Sequence, residues 1–339
     1  MEITVFIPGL HGFSEEIPAD NLHQQALPAL SRLLSKSSRS KHLFNDPESW
    51  LYQQFTGDDL SPDQIPVAPI TALADGLEVA NQYWLRADPV YLYPDTHSLV
   101  IQRTDNLELS EDEHRSLLIL LKPFIEETGA MFFAPNPQRW YLRLDEEPGI
   151  SCHPPHHILG KPINEFLPVG SGQREWRVLF NEIQMLLNQC DVNMERDSRR
   201  QVPVNSLWFW GGGYMPDIRK PVFAKMISDH PLSSALCQLS GIEHASIKDI
   251  QSLHVDQQTV YILDDRLFTA IRLDDARGWL SHLQEIEHNI MQPLLTGLEQ
   301  RKIKSVTLLT DQGDQYVCQN ADLRRFWRRL RPFSAWHMQ

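Results

Sequence analysis

The chain has 339 residues, which is enough for one large domain or two ordinary ones with a buried core. Its formal net charge of −13 excludes a general nucleic-acid binder, because neutralising phosphates requires a basic surface. Four scattered cysteines exclude a disulfide framework, and no apolar stretch reaches the roughly 18 residues of a membrane span. Since no signal-peptide pattern is visible either, we expect a cytoplasmic protein.

The first eighty residues have the pattern of an α/β domain. A short apolar strand at residues 3–7 runs into a glycine-containing turn, and apolar spacing predicts helices over residues 22–34 and 47–55. Residues 57–69 contain four prolines or glycines and three aspartates, which predicts a loop.

Residues 83–144 have a different pattern. Strands are predicted at residues 90–93, 99–102, 131–133 and 140–144. Between the two pairs a helix is predicted to begin after Ser110, with Glu113 completing a capping box, and to end near residue 128. This ββαββ order is typical of a small α+β module. We therefore predict an inserted domain at residues 83–144 within a discontinuous core of residues 1–82 and 145–339.

The rest of the chain alternates strands with helices. After a loop at residues 145–172, a helix is predicted at 176–188 and strands at 206–210, 259–263 and 306–309. Helices are predicted near residues 219–229, 231–238 and 275–301. The alternation favours an α/β fold with a mostly parallel sheet covered by helices. The arginine-rich run 324–331 favours an amphipathic terminal helix with a solvated basic face over an anion-binding patch.

The aromatic strand at residues 206–210 ends in three glycines, Gly211 to Gly213. At the carboxyl end of a strand, glycines can bring backbone N–H groups close to an anion. Alternatively, the glycines only let the chain turn tightly beside two bulky indoles. The residues themselves leave both interpretations open.

Two polar clusters are candidates for anion contact. His156 and His157 follow two prolines, which direct the two rings apart and favour anion contact or loop hydrogen bonds over a shared metal. Asn193 and Arg196 can clamp a phosphate or a carboxylate, since arginine is the usual bidentate partner. A salt bridge from Arg196 to a neighbouring carboxylate is the alternative.

Acidic residues lie close to several predicted strand ends. Asp264 follows one strand, Asp311 follows another, and Asp274 precedes the long predicted helix. Carboxylates in such places are ligands for hard metals or caps for helix N-termini. Capping is favoured for Asp274 because the helix begins directly after it.

Four motifs follow one another in the chain. They are Pro-Pro-His-His-Ile-Leu-Gly-Lys-Pro-Ile at 154–163, Leu-Pro-Val-Gly at 167–170, Asn-Met-Glu-Arg at 193–196 and Asn-Ser-Leu-Trp-Phe-Trp-Gly-Gly-Gly at 205–213. This ordered series resembles the archaeal-type, cofactor-independent (2,3-bisphosphoglycerate-independent) phosphoglycerate mutases. The resemblance implies an alkaline-phosphatase-like α/β core with an inserted domain, two divalent metals at strand ends and a serine that relays phosphate.

The chain departs from this family where the metals are expected. Pro8 stands where the family has a ligand aspartate, and no histidine follows Asp274 at the family's spacing. Gln312 follows Asp311 where the family has a histidine, and no serine stands out as the nucleophile. The loss of several ligands should abolish a two-metal site. The chain is thus similar to a degenerate bacterial branch described as RpfE-type regulatory proteins or putative phosphoglycerate mutases.

We therefore predict a binding or regulatory protein without catalysis or a cofactor. The alternative is a phosphoglycerate-mutase-like isomerase or phosphohydrolase that holds one manganese, zinc or magnesium ion on Asp264, Asp274 or Asp311. The expected partner is a phosphorylated small molecule or a protein, and neither a membrane nor a nucleic acid. The candidate anion-binding residues are His156, Asn193, Arg196, Asn205, Gly211 and Gly213.

Overall fold

The computed structural model describes residues 1–12, 26–95, 98–102, 107–252 and 259–337. The chain divides into two compact units, a first unit of residues 1–59 and 218–339 and a second unit of residues 60–217. The second unit contains the predicted inserted range 83–144 and extends beyond it on both sides, because helix and strand segments before residue 83 and after residue 144 pack with that range.

Fifteen strands are found in the described residues. They are β1 (Glu2–Phe6), β2 (Ser38–Lys41), β3 (Tyr83–Val90), β4 (Leu92–Pro94), β5 (Leu99–Ile101), β6 (Met131–Asn136), β7 (Arg139–Leu144), β8 (Ile150–Ser151), β9 (Val169–Gly170), β10 (Ser206–Gly213), β11 (Lys225–Ile227), β12 (Glu243–Ala245), β13 (Val260–Leu263), β14 (Ser305–Leu309) and β15 (Asp314–Gln319).

Eleven α-helices accompany them in the same part of the chain, and none is both long and apolar enough to cross a membrane. They are α1 (Pro28–Lys36), α2 (Pro47–Thr56), α3 (Val67–Ala74), α4 (Glu111–Glu126), α5 (Gln173–Asn188), α6 (Asp191–Ser198), α7 (Pro231–Ser240), α8 (Arg266–Arg272), α9 (Ala276–Ile286), α10 (Gln292–Glu299) and α11 (Ser334–His337).

The first unit is built on a seven-stranded sheet in the order β12-β11-β13-β1-β14-β15-β2. The first five strands run parallel, and β15 and β2 are added antiparallel at one side. Strand β1 lies between β13 and β14, and its apolar residues are buried with the apolar faces of the helices. The α/β fold class with a mostly parallel sheet is confirmed, and it is consistent with the alkaline-phosphatase-like core that the resemblance implies.

Helix α1 is capped by a residue far away in sequence. Its own N-cap, Leu27, has no side-chain oxygen, and the carboxylate of Glu287 accepts hydrogen bonds from the amides of Ala29 (2.8 Å) and Leu30 (2.9 Å) instead. Glu287 begins a π-helical turn, Glu287–Met291, between α9 and α10. A carboxylate is stabilising at a helix N-terminus, so this contact fixes α1 against the long helical segment.

The second unit contains an antiparallel sheet in the order β10-β3-β7-β6. Buried Asp88 accepts hydrogen bonds from Arg86 (2.7 Å) and from the Trp210 indole N–H (2.7 Å), so the charges inside this unit are paired. The aromatic strand, β10, pairs antiparallel with β3 and so belongs to this sheet. The prediction that it belongs to the mostly parallel sheet is wrong.

Several predicted elements need correction. Residues 219–229 are not a helix, since they contain β11, and the loop predicted at 57–69 ends where α3 begins at Val67. The arginine-rich run is not an amphipathic helix either, because only the short 3-10 turn Asp322–Arg324 and open turns precede α11. Strand β3 was missed because Arg86, Asp88 and Pro89 interrupt its apolar pattern. Residues 22–25 of the first predicted helix lie outside the described residues.

Candidate functional site

Three neighbouring strands of the first unit end at the same edge of its sheet. Strand β1 lies between β13 and β14 in parallel register, so Asp264 and Asp311 follow the strands on either side of it. The Gly9 amide donates to Oδ1 of Asp311 at 2.9 Å. Gly9 has a φ of +79°, and a Cβ there would lie 2.6 Å from the Phe268 amide nitrogen. The turn after β1 therefore requires glycine and brings backbone close to Asp311.

Asp264 is already paired with an arginine. Its carboxylate is buried, and the Arg266 guanidinium donates to both oxygens, at 2.9 Å to Oδ1 and 2.7 Å to Oδ2. Arg266 also donates to Glu285 at 2.5 Å, and the hydrogen bonds to Asp264 raise the pKa of Arg266. A bidentate pair of this kind is strong and specific, so both oxygens that could bind a metal are engaged.

A second arginine lies among four other carboxylates, which we call the strand-end acidic cluster. The Arg272 guanidinium is 4.0 Å from Asp46 and lies 4.1 Å above the Phe268 ring. Burial lowers the pKa of Arg272, and the surrounding carboxylates oppose that shift. An arginine remains charged in a protein, so Arg272 supplies positive charge to the cluster. The cluster consists of Asp46, Glu48, Asp265 and Asp311.

His230 faces the same cluster. Its Nδ1 accepts a hydrogen bond from the Leu232 amide at 3.3 Å and thereby caps α7. The ring proton is then on Nε2, which lies 3.8 Å from Glu48 and 3.9 Å from Asp265. An arginine and an imidazole ring thus lie beside carboxylates of the cluster.

The two remaining metal candidates differ in their surroundings. Burial raises the pKa of Asp311, against the opposing effects of the Gly9 amide and Arg272. Asp274 is exposed and has a φ of +55° between α8 and α9. It does not cap α9; Asp275 does, because its side chain accepts from the Gly278 amide at 2.8 Å. The capping prediction was therefore wrong by one residue.

These residues do not fit a divalent metal. Such an ion needs several oxygens that converge on one point. Ligand atoms of Asp264, Asp274 and Asp311 do not gather within 4.8 Å of one another. Pro8 offers no side-chain donor after β1, and Asp264 is held by Arg266. The strand ends thus carry carboxylates whose charge is balanced by arginine.

In the second unit, Asn193 and Arg196 are directed at the backbone. The Asn193 amide donates to the carbonyls of Leu187 (2.9 Å) and Val204 (2.7 Å), and its oxygen accepts from the Val204 amide (2.9 Å). Arg196, which is 1% exposed, donates to Glu113 (2.9 Å) and to the carbonyls of Val202 (2.7 Å) and Leu107. These contacts favour a structural role for both residues, and anion binding by them stays a prediction.

Asn205 and the glycines have similar structural contacts. The Asn205 side chain makes two hydrogen bonds to the backbone of Leu92. Its oxygen accepts from the Leu92 amide (2.8 Å), and its nitrogen donates to the Leu92 carbonyl (2.7 Å). Gly211 has a φ of +61°, and a Cβ on Gly213 would lie 2.6 Å from Cβ of Pro66. Close packing therefore requires glycine at the end of β10.

His156 lies beside the same strand. Its ring meets the ring of His157 edge to face at 4.6 Å and that of Trp210 at 6.0 Å. The two histidines thus touch each other, although the prolines were expected to direct them apart.

A cleft of about 300 Å³ lies in the second unit, and of the candidate anion-binding residues only Gly213 lies on its wall. No arginine, lysine or histidine is among its described lining residues, so its polar groups suit a neutral or cationic ligand better than phosphate. Burial raises the pKa of the Cys152 thiol to about 12, so the thiol on this wall is protonated at neutral pH. The lining includes Asp63, Gln64, Tyr83, Glu147, Ser151 and Tyr214.

Sequence reasoning identified the strand-end aspartates and missed the arginines that engage them. The signal was present, since Arg266 lies two residues after Asp264, and Arg272 lies near the end of the helix that follows. The cleft could not be found in this way because its residues come from four separate segments of the chain.

The curated relatives of the chain are phosphoglycerate mutases. A probable 2,3-bisphosphoglycerate-independent phosphoglycerate mutase of Geobacter sulfurreducens is 30% identical over 152 residues, which cover 44% of this chain and 38% of that protein. The 2,3-bisphosphoglycerate-independent phosphoglycerate mutase of Methanosarcina mazei is 32% identical over 149 residues, covering 43% and 37%. The chain thus spans less than two fifths of the length of these relatives in the matched region. No protein-family model matches the chain.

One solved structure shows a similar fold. The PH0037 protein of Pyrococcus horikoshii has a TM-score of 0.53 at 13% identity, over 94% of this chain and 87% of that one. A cofactor-independent phosphoglycerate mutase of Thermoplasma acidophilum has a TM-score of 0.47 at 17% identity, over 98% and 94%. The curated relatives confirm the predicted resemblance to the 2,3-bisphosphoglycerate-independent phosphoglycerate mutases, over less than half of this chain.

Proposed function

Since its relatives are phosphoglycerate mutases, we propose that the chain keeps their fold without their metal-dependent phosphoryl transfer, and that it acts as a binding or regulatory protein. The observation that carries this proposal is the bidentate pair of Asp264 and Arg266. A metal that competed for Asp264 would have to displace a guanidinium from a buried carboxylate. It would also break both hydrogen bonds from Arg266 to Asp264, and Glu285 would remain as the carboxylate partner of that guanidinium.

The strand-end acidic cluster supports the same proposal. A pair of divalent ions brings about four positive charges, which stabilise the attacking and leaving oxygens of a phosphoryl transfer. Here the charges of Asp46, Glu48, Asp265 and Asp311 are opposed by Arg272. An arginine can balance the negative charge of carboxylates. Unlike a metal ion, it cannot coordinate an oxygen atom of the substrate or lower the pKa of a coordinated water.

The partner that we propose is a phosphorylated small molecule or another protein. The hydrogen bonds that hold Asn193, Arg196 and Asn205 support binding, because a scaffold that holds its own polar groups in place can present a defined surface at little entropic cost. The cleft beside Gly213 is one such surface for a protein partner, because its described lining carries acidic but no basic side chains and suits a neutral or cationic group better than phosphate.

One observation favours the alternative of an enzyme with a reduced site. Asp311 is half-buried at the end of β14, and burial raises its pKa. Carboxyl groups with raised pKa values at strand ends serve as acids or bases in many active sites. In this alternative a single manganese, zinc or magnesium ion assists a phosphohydrolase or an isomerase.

Activity measurements separate the two functions. Interconversion of 2- and 3-phosphoglycerate and hydrolysis of p-nitrophenyl phosphate are measured with manganese, zinc or magnesium. We expect no turnover above that of the Asp311→Asn variant. Asp59→Asn removes an exposed carboxylate and serves as the matched control. Metal-dependent turnover that Asp311→Asn abolishes and Asp59→Asn retains would establish the reduced-site enzyme instead.

A further inference from the structure

The arginine-rich segment near the C-terminus exposes large apolar side chains. Phe326 is 88% exposed, Trp327 66% and Leu330 62%, although these three residues lie within five positions of one another. We call residues 324–331 the basic aromatic loop. Large exposed apolar groups that cluster in this way mark interaction sites in most proteins, whereas scattered ones need no explanation.

The backbone of the basic aromatic loop is fixed to the C-terminal end of α1. The Lys36 ammonium, which is buried, donates to the carbonyls of Arg325 (2.7 Å) and Arg328 (2.6 Å). The Arg331 amide donates to the hydroxyl of Ser35 at 2.9 Å. The exposed side chains are therefore held outward by an ordered loop, so little conformational entropy remains to be lost on binding.

Four of the five arginines of the loop fall into two groups. Arg325 pairs with Asp322 at 2.6 Å, and Arg328 donates to the carbonyls of Lys36 (3.0 Å) and Ser37. Arg324 and Arg329 are exposed and make no ion pair within the described residues. The first group stabilises the loop, and the second leaves positive charge beside Phe326 and Trp327 on a chain whose net charge is −13.

The size of this surface decides what kind of partner it fits. A stable protein interface buries about 800 Å² on each partner, whereas three side chains expose about half of that or less. Base stacking in single-stranded nucleic acid uses aromatic faces, but Phe326 and Trp327 meet edge to face at 84°, and Leu330 has no ring to stack. A bilayer surface accepts a few apolar side chains at its boundary while nearby arginines reach the headgroups.

We propose that the basic aromatic loop binds the surface of an anionic bilayer, with Phe326, Trp327 and Leu330 inserted at the interface and Arg324 and Arg329 on the lipid phosphates. This proposal revises the expectation of no membrane partner, and it does not depend on the loss of catalysis. The acidic remainder of the chain opposes it only weakly, because salt screens charges beyond about 10 Å.

Vesicle cosedimentation of the full-length protein tests the proposal. We expect binding to vesicles of equal parts phosphatidylglycerol and phosphatidylcholine, and little binding to phosphatidylcholine alone. Phe326→Ser with Trp327→Ser should lower the partition coefficient by about tenfold or more, since two interfacial aromatic groups are lost. Leu43→Ser with Val222→Ser is the matched control, because both residues are 89% exposed elsewhere in the first unit.

The arginines are tested in the same way. Arg324→Gln with Arg329→Gln should lower binding by about fivefold for each charge removed near the surface. Arg277→Gln with Arg301→Gln removes two exposed charges elsewhere and should leave vesicle binding unchanged. Equal sedimentation of the wild type and the variant with Phe326→Ser and Trp327→Ser would overturn the proposal. Binding of a single-stranded oligonucleotide or an acidic peptide, without vesicle binding, would overturn it too and assign the loop to that partner.

Discussion

The motif residues of the second unit and the strand ends of the first unit depart to different extents from the pattern of the phosphoglycerate mutases. Asn193, Arg196 and Asn205 match the pattern of the phosphoglycerate mutases, and each of them hydrogen-bonds to backbone or to a buried partner. At the strand ends of the first unit, Pro8 and Gln312 stand where the resemblance implies metal ligands, and Asp264 is paired with Arg266.

This difference indicates what the recognisable motifs preserve. A side chain that satisfies several buried backbone groups cannot be replaced without leaving those groups unpaired, whatever the protein does. A metal ligand is needed only while the metal is used. The motifs therefore identify the fold better than the activity. Four predictions follow the comparison from the largest expected effect to the smallest.

Arg196 should be essential to the second unit. Arg196→Met removes the partner of Glu113 and unpairs two carbonyls, so we expect a loss of about 3–5 kcal/mol in unfolding free energy. Urea unfolding followed by circular dichroism measures it. Arg199→Met is the control, since Arg199 forms an exposed pair with Glu195, and it should change stability by less than about 0.5 kcal/mol. Equal effects of both variants would contradict a structural role for Arg196.

Arg272 should be replaceable by a metal if it balances the strand-end acidic cluster. Arg272→Gln removes the positive charge that opposes these carboxylates, so divalent cations should now stabilise the protein. At a hundredfold excess over the dissociation constant, the gain is about 2.7 kcal/mol, measured as a rise in the thermal midpoint with Mn²⁺.

The wild type and Arg277→Gln, which alters an exposed arginine, should show no such rise. A similar Mn²⁺ effect in all three proteins would mean that Arg272 does not occupy the place of a cation.

The glycines after the aromatic strand should be needed for packing. Gly211→Ala places a side chain at a φ of +61° and a Cβ 3.0 Å from Cβ of Val67. Gly76 has a φ of +86° with no atom within 4 Å of a Cβ, so Gly76→Ala has the backbone cost alone. We expect Gly211→Ala to lower stability by about 1 kcal/mol more than Gly76→Ala in urea unfolding. Indistinguishable losses would show that the space beside Gly211 is not limiting.

Two aspartates three residues apart should respond to pH in opposite directions. Burial raises the pKa of Asp311, so its contribution to stability is present below the ordinary aspartate pKa and is lost as the pH rises through the folded value. For Asp314, burial is outweighed by hydrogen bonds from Arg39 and Lys41, which lower the pKa. Its contribution is present at neutral pH and is lost as the pH falls through the folded value.

Unfolding midpoints of Asp311→Asn and Asp314→Asn at neutral and acidic pH measure these contributions. Relative to the wild type, Asp311→Asn should become less stable as the pH falls. The deficit of Asp314→Asn should shrink over the same range. Parallel changes in the two variants would contradict the different surroundings of these carboxylates.

Much of the fold could be predicted from local patterns. The capping box of Ser110 and Glu113 is confirmed by reciprocal hydrogen bonds, and the helix predicted at 176–188 lies within α5. The prediction of a helix at the arginine-rich run was wrong. Its charge pattern is typical of an amphipathic helix, but contacts from Lys36, nearly 300 residues away, fix it as a loop. The partner of Arg196 could not be predicted, since Glu113 is distant in sequence and tertiary packing decides the contact.

The metal content of the purified protein tests the central claim most directly. After equilibration with Mn²⁺ or Zn²⁺ and removal of free metal, elemental analysis measures the ions that remain per chain. We predict clearly less than one equivalent, because Arg266 and Arg272 engage the strand-end carboxylates. Two tightly held equivalents, lost on Asp264→Asn, would contradict that account and restore a metal-dependent mechanism.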